Sequence, residues 1–270
     1  MRKELTMGVM TDPMFGPESM MRRINSEPVL LLGARAALLM QLAHPLVAAA
    51  VADHSRFRDD PMSRLRATLR TISTIVFETE DQARAAAGRV NALHATVAGR
   101  GDTGRVYSAT DPHLLLWVYA TLVHTAVEVY DGFVCRLTEF ERAAFYRESK
   151  DVARLFAVSD DLLPTSLDDL HAWMRDRIES GEVVVTPLAR ELAAPLLRIV
   201  PWIPNGAAGR LAFVAASLLP DELREGYRLP LGQPGRLTVD ALGRVSRVLT
   251  PRTPPGLKSL VLRSLLPTAR

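Results

Sequence analysis

Apolar and polar positions along this chain repeat mostly with helical spacing. Helix starts can be read where a capping residue precedes a helical run. These starts are Thr79 with Gln82, Asp111-Pro112, Thr138 with Glu141, Ser166, and Thr186-Pro187. The first helix is expected to close at Gly99, the second near Phe133, and the one from Ser166 at Gly181. Strand-like alternation is nearly absent, and Val183 to Val185 is its best candidate. The pattern therefore predicts an all-α fold.

Two segments are apolar enough to lie in the interior. The run LLLWVYATLVHTAV, within the helix expected over 112–133, is apolar on almost every side, which is typical of a central helix. Residues 29–52 form an apolar run long enough to cross a bilayer, but Arg35, His44 and Pro45 lie inside it. Because polar side chains are costly in hydrocarbon, a buried core helix is predicted for this segment instead of a membrane span.

The chain shows no internal repeat or low-complexity tract, and no linker is apparent before about residue 230. Beyond that point, LPLGQPGR and PRTPPG interrupt the helical pattern with turn-forming residues. We therefore predict an N-terminal arm over residues 1–25, a single helical domain over 26–230, and a looser C-terminal extension over 231–270.

Charge and cysteine content limit the class of protein. The 33 lysines and arginines nearly balance the 30 aspartates and glutamates, so the formal charge of +3 does not favour nucleic acid as the main partner. A single cysteine, Cys135, excludes an internal disulfide framework and fits a reducing compartment. The first 20 residues lack the apolar core of a secretory signal. We therefore expect a cytoplasmic protein, and association with a membrane is the alternative.

Common catalytic motifs are absent from the sequence. It contains no HExxH or cysteine cluster, and no GxSxG, P-loop or GxGxxG motif. The remaining candidates for catalysis or ligand binding are histidines that occur singly along the predicted helices. They are His44, His54, His94, His113, His124 and His171.

Four of these histidines are interpreted as structural. His54 lies beside polar residues at an expected helix end, and His113 begins a helix and is expected to be exposed. His124 shares a face with Trp117 on the central helix, which favours a core position. His171 lies among acidic residues and is predicted to be on the surface.

His94 is the strongest candidate ligand. On its predicted helix it shares a face with small apolar residues, Ala83, Ala87, Val90 and Val97. Burial would keep the imidazole neutral, and small neighbours would let a flat macrocycle approach, as an axial ligand to haem iron requires. The alternative is a core histidine that is hydrogen-bonded to the backbone and has no further role.

His44 precedes Pro45, which cannot donate a backbone hydrogen bond to the carbonyl of Gln41. Proline also disfavours the helical conformation at His44, so a kink is expected there. Such a polar kink in an apolar segment could carry a distal catalytic group. The alternative is a histidine that caps its own kink.

The helix expected over residues 62–78 has an apolar stripe with Arg64 and Thr68 beside it, one turn apart. Six arginines lie between Arg56 and Arg84, and such runs usually form a solvated surface. The functional alternative is that Arg64 and Thr68 hold a carboxylate or polarise bound oxygen, since guanidinium is planar and permanently charged.

Four sequence runs follow one another in the order LLLGARAALLMQLAHPLVAAAVADHSRFRDDPMSRLRATLRT, RVNALHATVAG, YSATDPHLLLWVYATLV and LPTSLDDL. Together they resemble the MpaB-type and rubber oxygenase catalytic domain, over roughly residues 20 to 230. That family includes bacterial latex-clearing proteins, which cleave polyisoprene with dioxygen, and a fungal oxygenase that trims a prenyl side chain. The resemblance implies haem b in a globin-like helical core, with dioxygen as co-substrate.

The resemblance also implies roles for individual residues. The axial histidine of the family corresponds to His94, and the arginine and threonine beside the haem correspond to Arg64 and Thr68. His44-Pro45 and His54-Ser55 match paired residues of the smaller bacterial members, which places His44 near the haem and lets His54 tie the following turn to the arginine helix. Rubber oxygenases carry a lysine where this chain has Ala67, so polyisoprene cleavage does not transfer.

Two hypotheses for function follow. The first is a haem-dependent oxygenase or oxidase acting on a hydrophobic, isoprenoid-like or aromatic small molecule, with iron on His94, a catalytic site of Arg64, Thr68 and His44, and an electron donor that the sequence does not identify. The second is a non-catalytic helical binder of haem or of a lipid-like ligand, with residues 29–52 and 56–70 contacting a membrane surface. Whether His94 or His44 is the axial ligand stays open at this point.

A non-haem iron site is disfavoured by the lack of a suitable two-histidine, one-carboxylate spacing. The first hypothesis requires a porphyrin-sized gap between helices with the imidazole of His94 directed into it.

Overall fold

A computed structural model describes residues 12–55, 60–101, 104–198 and 212–265. The predicted N-terminal arm lies partly outside this range, as do Arg56 and Arg58 of the basic run. Within the described residues the chain is helical apart from one small hairpin, so the all-α prediction is confirmed.

The helices follow one another with short connections. In chain order they are α1 (Met20–Asn25), α2 (Leu31–Ala43), α3 (Pro45–His54), α4 (Pro61–Phe77), α5 (Glu80–His94), α6 (Pro112–Phe133), α7 (Glu139–Leu155), α8 (Leu167–Glu179), α9 (Pro187–Arg198), α10 (residues 212–217), α11 (Asp221–Gly226), α12 (Gln233–Leu249) and α13 (Pro255–Leu265). Single 3-10 turns at Pro28–Leu30 and Thr250–Arg252 precede α2 and α13.

The predicted helix starts are confirmed because their signals are local. Complete capping boxes begin α5 at Thr79, α7 at Thr138 and α8 at Ser166. The carboxylate of Asp111 accepts the amide of His113 at 2.8 Å at the start of α6. Helix α8 ends just before Gly181, whose φ of +75° is a backbone conformation that favours glycine.

Two local predictions were wrong. Helix α5 ends at His94 and not at Gly99, because Gly99 belongs to strand β1 (Ala98–Arg100), which pairs antiparallel with β2 (Val106–Ser108). Residues Val183 to Val185 form no strand. Their amides bond to helix ends instead, with Val183 donating to the carbonyl of Arg177 at 2.9 Å and Val184 to that of Ala43 at 3.0 Å.

Helix α6 forms the centre of the molecule, as predicted, and α2 crosses it closely. A Cβ atom at Gly33 of α2 would lie 2.9 Å from Cγ2 of Val129 on α6. The indole of Trp117 on α6 donates to the carbonyl of Met40 on α2 at 3.0 Å. The two helices therefore form the packed core against which the other helices lie.

The apolar segment 29–52 bends sharply at His44-Pro45. Among the described residues, no single helix is both long and apolar enough to cross a bilayer. The stretch Pro28–Ala43 meets that test only together with Pro45–His54, and the two are bent by 102°. Most of α2, from Ala36 to Ala43, is buried in the core, in agreement with the predicted core helix.

The C-terminal extension is helical. Helix α12 packs on the end of α6, where the hydroxyl of Ser246 donates to the carbonyl of Phe133 at 2.6 Å. Helix α13 is fixed to the turn before α2 by an ion pair of 2.6 Å between Lys258 and Glu27, whose side chains are largely buried. The boundary at residue 230 stays a prediction.

Candidate functional site

A helical hairpin brings His94 and Arg64 together. Helices α4 and α5 are joined only by Glu78 and Thr79, so they run antiparallel and pack along their lengths. Arg64 lies in the first turn of α4 and His94 is the last residue of α5, which places them at the same end of the hairpin. The predicted apolar face of α5 is confirmed, since Ala83 and Ala87 are buried.

The imidazole of His94 is unusual in its surroundings. Its Nδ1 atom is buried and has no hydrogen-bond partner among the described residues. Burial lowers the pKa of His94, and the positive charge of Arg64 lowers it further. Burial also lowers the pKa of Arg64, but a guanidinium stays charged near neutral pH. At neutral pH His94 is therefore an uncharged imidazole with a nitrogen free to accept or to bind a metal.

An apolar pocket lies between α1, α2, α4, α6 and α7. Thr68 contributes to its wall together with Leu65, Leu69 and Ile72 from the same helix. The polar groups that face the pocket from the other helices are Asn25, Gln41, Tyr119, Thr125 and Ser149. Most of its surface is apolar, so it suits a hydrophobic ligand.

The sequence did not single out these other polar groups. Gln41 donates through Nε2 to the hydroxyl of Thr121 at 3.2 Å, and Tyr119 shares a 2.7 Å hydrogen bond with Ser149. Burial raises the pKa of Tyr119, so its phenol stays protonated. Gln41 could have been noticed as an amide within an apolar run, but nothing in the sequence marks Ser149.

The pocket is smaller than the predicted gap. Its cavity volume is about 130 Å³, whereas typical small-molecule pockets start at roughly 300 Å³. Thr68 lines it, whereas Arg64, one turn earlier, and His94 are not among its described lining residues. As the described helices pack, this pocket is therefore smaller than the porphyrin-sized gap that was expected.

His44 lies elsewhere, at the corner between α2 and α3. Its side chain is almost completely buried, at 3% exposure, and its Nδ1 accepts the backbone amide of Leu46 at 3.2 Å. Its Nε2 lies 3.8 Å from a carboxylate oxygen of Glu182. Burial lowers the pKa of His44, and the nearby carboxylate only partly opposes this. The capping interpretation accounts for Nδ1, whereas Nε2 faces Glu182, and a catalytic role for His44 stays a prediction.

His54 ends α3, as predicted. Its Nε2 lies 3.2 Å from the carbonyl oxygen of Ala98, and its ring packs edge-on against Tyr107. The histidine therefore ties the end of α3 to the hairpin of β1 and β2. The turn that His54 was expected to tie to α4 includes residues 56–59, which lie outside the described residues, so that link stays a prediction. His113 is exposed at the start of α6, in agreement with the sequence.

His124 and His171 form a pair that the sequence did not predict. Nδ1 of His124 and Nε2 of His171 are 3.3 Å apart, which joins α6 to α8. His171 is half-buried, so its predicted surface position was wrong. Burial, followed by the neighbouring His124, lowers the pKa of His171 to about 4. Within the part of the chain that is described, no group of three or more histidine, cysteine, aspartate or glutamate side chains is arranged to hold a metal ion.

Comparisons with known proteins identify a family for the chain. Residues 21–248 match the family described as ER-bound oxygenase mpaB/B'/Rubber oxygenase, catalytic domain. Two uncharacterized proteins, one from Mycobacterium bovis and one from Mycobacterium tuberculosis, are each 24% identical to the chain over 202 residues, which is 73% of this chain and 79% of each relative. No solved structure matches the chain.

Proposed function

The chain belongs to the family of the ER-bound oxygenase mpaB/B' and rubber oxygenase catalytic domains, and on that premise we propose that it is a haem-dependent oxygenase or oxidase with His94 as the iron ligand. The family is one of oxygenases, which supports an enzymatic role. The finer proposal names haem b as the cofactor, dioxygen as co-substrate, and a hydrophobic, isoprenoid-like or aromatic molecule as substrate. A cytoplasmic location belongs to the same proposal.

The observation that carries the cofactor proposal is the buried Nδ1 of His94, which has no hydrogen-bond partner in the part of the chain that the structure describes. A buried polar atom without a hydrogen bond costs about 1–3 kcal/mol, so such an atom calls for a role or a ligand. Imidazole binds haem iron through an unprotonated nitrogen, and the lowered pKa of His94 keeps it in that form. The donor therefore fits the group.

Arg64 and Thr68 are proposed to act beside the cofactor. Arg64 presents a fixed positive charge next to His94, where it can hold a carboxylate such as a haem propionate. In a site with little water, the same charge also stabilises negative charge that develops during reaction. Thr68, in the wall of the apolar pocket, can donate its hydroxyl hydrogen to a polar atom of the ligand.

The chemistry of the reaction would come from the cofactor, since haem iron supplies the centre at which dioxygen is activated. The protein supplies the binding of the substrate, through the leucine, isoleucine and alanine side chains of the pocket. Because the pocket has a volume of about 130 Å³ and His94 is not among its described lining residues, a macrocycle held by His94 would require α4 and its neighbours to move apart. His44, at the corner behind α2, is proposed as a proton donor or acceptor only if that separation brings it to the ligand.

The proposal is tested by purifying the protein from haem-replete cells and recording its absorption spectrum. We expect a Soret band from the wild type, a lost or shifted band from His94→Ala, and an unchanged band from His113→Ala, which alters an exposed histidine. A colourless wild type would contradict the proposal, and so would a His94→Ala protein with the wild-type spectrum.

A non-catalytic binder of haem or of a lipid-like ligand is the second candidate, because the small apolar pocket could hold a lipid tail without any chemistry. The two are separated by dioxygen uptake of the haem-loaded protein in the presence of a chemical reductant and hydrophobic test substrates. Substrate-dependent uptake above that of free haem supports the oxygenase. A haem-loaded protein that gives none supports the binder.

A further inference from the structure

We propose that α12 and α13 form a docking surface for an anionic lipid bilayer. The first observation is the distribution of exposed apolar side chains. Of eleven large hydrophobic residues that are exposed in the described parts of the chain, seven lie in these two helices, with exposures between 37% and 63%. They are Leu237, Val245, Val248 and Leu249 of α12 and Leu257, Leu260 and Val261 of α13, and we call them the C-terminal apolar surface.

Helix α12 is apolar on two different sides. One side packs on the protein through the buried Gly235 and Gly243 and the partly buried Val239 and Leu242. Leu237, Val245 and Val248 lie on another side, since positions 237, 241, 245 and 248 follow one another at three- and four-residue spacing. A helix that needed only to cover α6 would carry polar residues at these positions.

The second observation is charge. Of the 33 lysines and arginines of the chain, seven lie in residues 231–270, whereas Asp240 is the only one of the 30 acidic residues found there. The extension thus carries +6, and the remaining 230 residues carry −3. Arg236, Arg244 and Arg252 are exposed next to the apolar side chains.

The combination of exposed apolar side chains and positive charge indicates which partner the surface binds. A basic helix with an exposed apolar side is typical of segments that lie in the interface of anionic membranes. A symmetric contact between two copies through this surface would bring the exposed Arg236, Arg244 and Arg252 of both chains together, which Coulomb repulsion opposes. An anionic bilayer offers both a negative surface and hydrocarbon for the apolar side chains.

Helices α12 and α13 pack tightly on the rest of the protein, so a membrane bound to them would orient the whole molecule. Gly243 lies so close to α6 that a Cβ there would be 2.8 Å from the carbonyl oxygen of Gly132, and Arg247 donates to the same carbonyl. Helix α13 packs on the turn Pro28–Leu30, and Leu30 is part of the pocket wall. A bilayer that contacts α13 would therefore lie close to the pocket that we propose for a hydrophobic substrate.

The test is flotation of the full-length protein with lipid vesicles. We expect the wild type to bind vesicles with about 30% phosphatidylserine and to bind pure phosphatidylcholine vesicles about tenfold or more weakly, since each basic residue near an anionic surface contributes about 1 kcal/mol. Binding should weaken when salt is raised from about 0.1 M to about 0.5 M.

Two variants and one matched control locate the surface. The triple variant Leu237→Ser, Val245→Ser, Val248→Ser and the double variant Arg236→Gln, Arg244→Gln should each lose about tenfold or more in binding to anionic vesicles. The control Val106→Ser, Phe140→Ser, Val184→Ser replaces three exposed apolar residues outside the extension and should bind as the wild type does. Circular dichroism and thermal melting verify that every variant is folded.

Three results would overturn the proposal. One is a wild-type protein that does not float with anionic vesicles, and another is a triple variant that floats as well as the wild type. The third is a stable wild-type dimer in light scattering that the triple variant dissociates, because this would assign the surface to a second copy of the chain. None of these results depends on haem or on oxygenase activity.

Discussion

At the scale of single residues, the electrostatic interaction between Arg64 and His94 defines the candidate site. The positive charge of Arg64 is the second cause, after burial, of the lowered pKa of His94. We therefore predict that Arg64→Met raises the pKa of His94, while burial still keeps it below the usual value of about 6.5. Titration of the His94 ring proton by NMR in the haem-free protein measures this change.

Arg66→Met is the matched control for that titration. Arg66 lies on the same helix but pairs with Asp60 at 3.3 Å. The Arg66→Met substitution should therefore leave the pKa of His94 nearly unchanged. Equal shifts in the two variants would show that His94 responds to the charge of the whole helix and not to Arg64.

The pair of His124 and His171 predicts how stability depends on pH. The pKa of His171 in the folded protein is about 4, below that of an unfolded histidine, about 6.5. Between these values the unfolded chain binds more protons than the folded one, so the free energy of unfolding falls as pH drops from about 6.5 to 4. The loss from this residue is about 1–3 kcal/mol, at 1.36 kcal/mol per pKa unit with allowance for partial exposure.

Urea unfolding of the wild type and of His171→Gln, across that pH range, tests the prediction. His171→Gln should lose less stability on acidification than the wild type, because the titrating group is gone. The exposed His113 supplies the control variant His113→Gln, which should retain the wild-type slope. An identical slope in wild type and His171→Gln would exclude His171 as a source of acid sensitivity.

The sequence revealed some site residues and not others, for a physical reason. The small apolar face beside His94 and the proline after His44 are local features, so both could be interpreted from neighbouring residues. Tyr119 meets Ser149, and His124 meets His171, only because separate helices pack together. No spacing along the chain encodes those contacts.

At the scale of secondary-structure elements, the crossing of α2 and α6 depends on Gly33. A Cβ at this position would approach Cγ2 of Val129 to 2.9 Å, and valine side chains have little rotamer freedom in a helix. We predict that Gly33→Ala destabilises the protein by about 1–3 kcal/mol, as overpacking of a tight core does. Chemical denaturation measures the change.

Gly88 provides the opposite case on α5. It is exposed, and a Cβ there would meet nothing within 4 Å. Gly88→Ala should therefore stabilise the protein by about 0.5–1 kcal/mol, the usual gain of alanine over glycine in a helix. If both substitutions changed stability in the same direction, the close crossing of α2 and α6 would be contradicted.

Element boundaries follow the same division between local and distant causes. Capping boxes lie within four residues, and the two that the sequence indicated, at Thr79 and Thr138, are formed, as is a third at Ser166, which was predicted only as a helix start. The hairpin of β1 and β2 was missed because Gly99 lies in the middle of its first strand and because the pairing joins residues on either side of a loop. Val183 to Val185 looked like a strand, but its neighbours in space are helix ends.

At the scale of the whole molecule, cofactor binding must be linked to stability. A ligand that binds only the folded state at 100 times its Kd adds about 2.7 kcal/mol to the free energy of unfolding. For a chain of this size we predict that haem raises the Tm of the wild type by roughly 5–10 °C. Differential scanning fluorimetry with and without haem measures this shift.

Two variants sharpen that measurement. His94→Ala should melt at the same temperature with and without haem, whereas His113→Ala should respond as the wild type does. A haem-induced shift that persists in His94→Ala would show that the macrocycle binds elsewhere on the protein. This readout is independent of catalysis.

The global arrangement was predictable only in outline. Apolar runs at 29–52 and 112–133 indicated the two core helices, and both are largely buried. The volume of the pocket depends on how α2, α4, α6 and α7 approach one another, and the sequence does not specify those distances. The docking of α13 through Glu27 and Lys258 joins residues 231 positions apart, which no local pattern reveals.

The bend between α2 and α3 depends on the protonation state of His44. Its Nδ1 can accept the amide of Leu46 only while the ring is neutral, and the lowered pKa maintains that state under ordinary conditions. In a protonated ring, Nδ1 also carries a hydrogen, which would repel the N–H of Leu46. The positive ring would instead be attracted to the carboxylate of Glu182, 3.8 Å from its Nε2. Protonation of His44 at low pH would therefore remove the cap from the first turn of α3 and weaken the bend between the two helices.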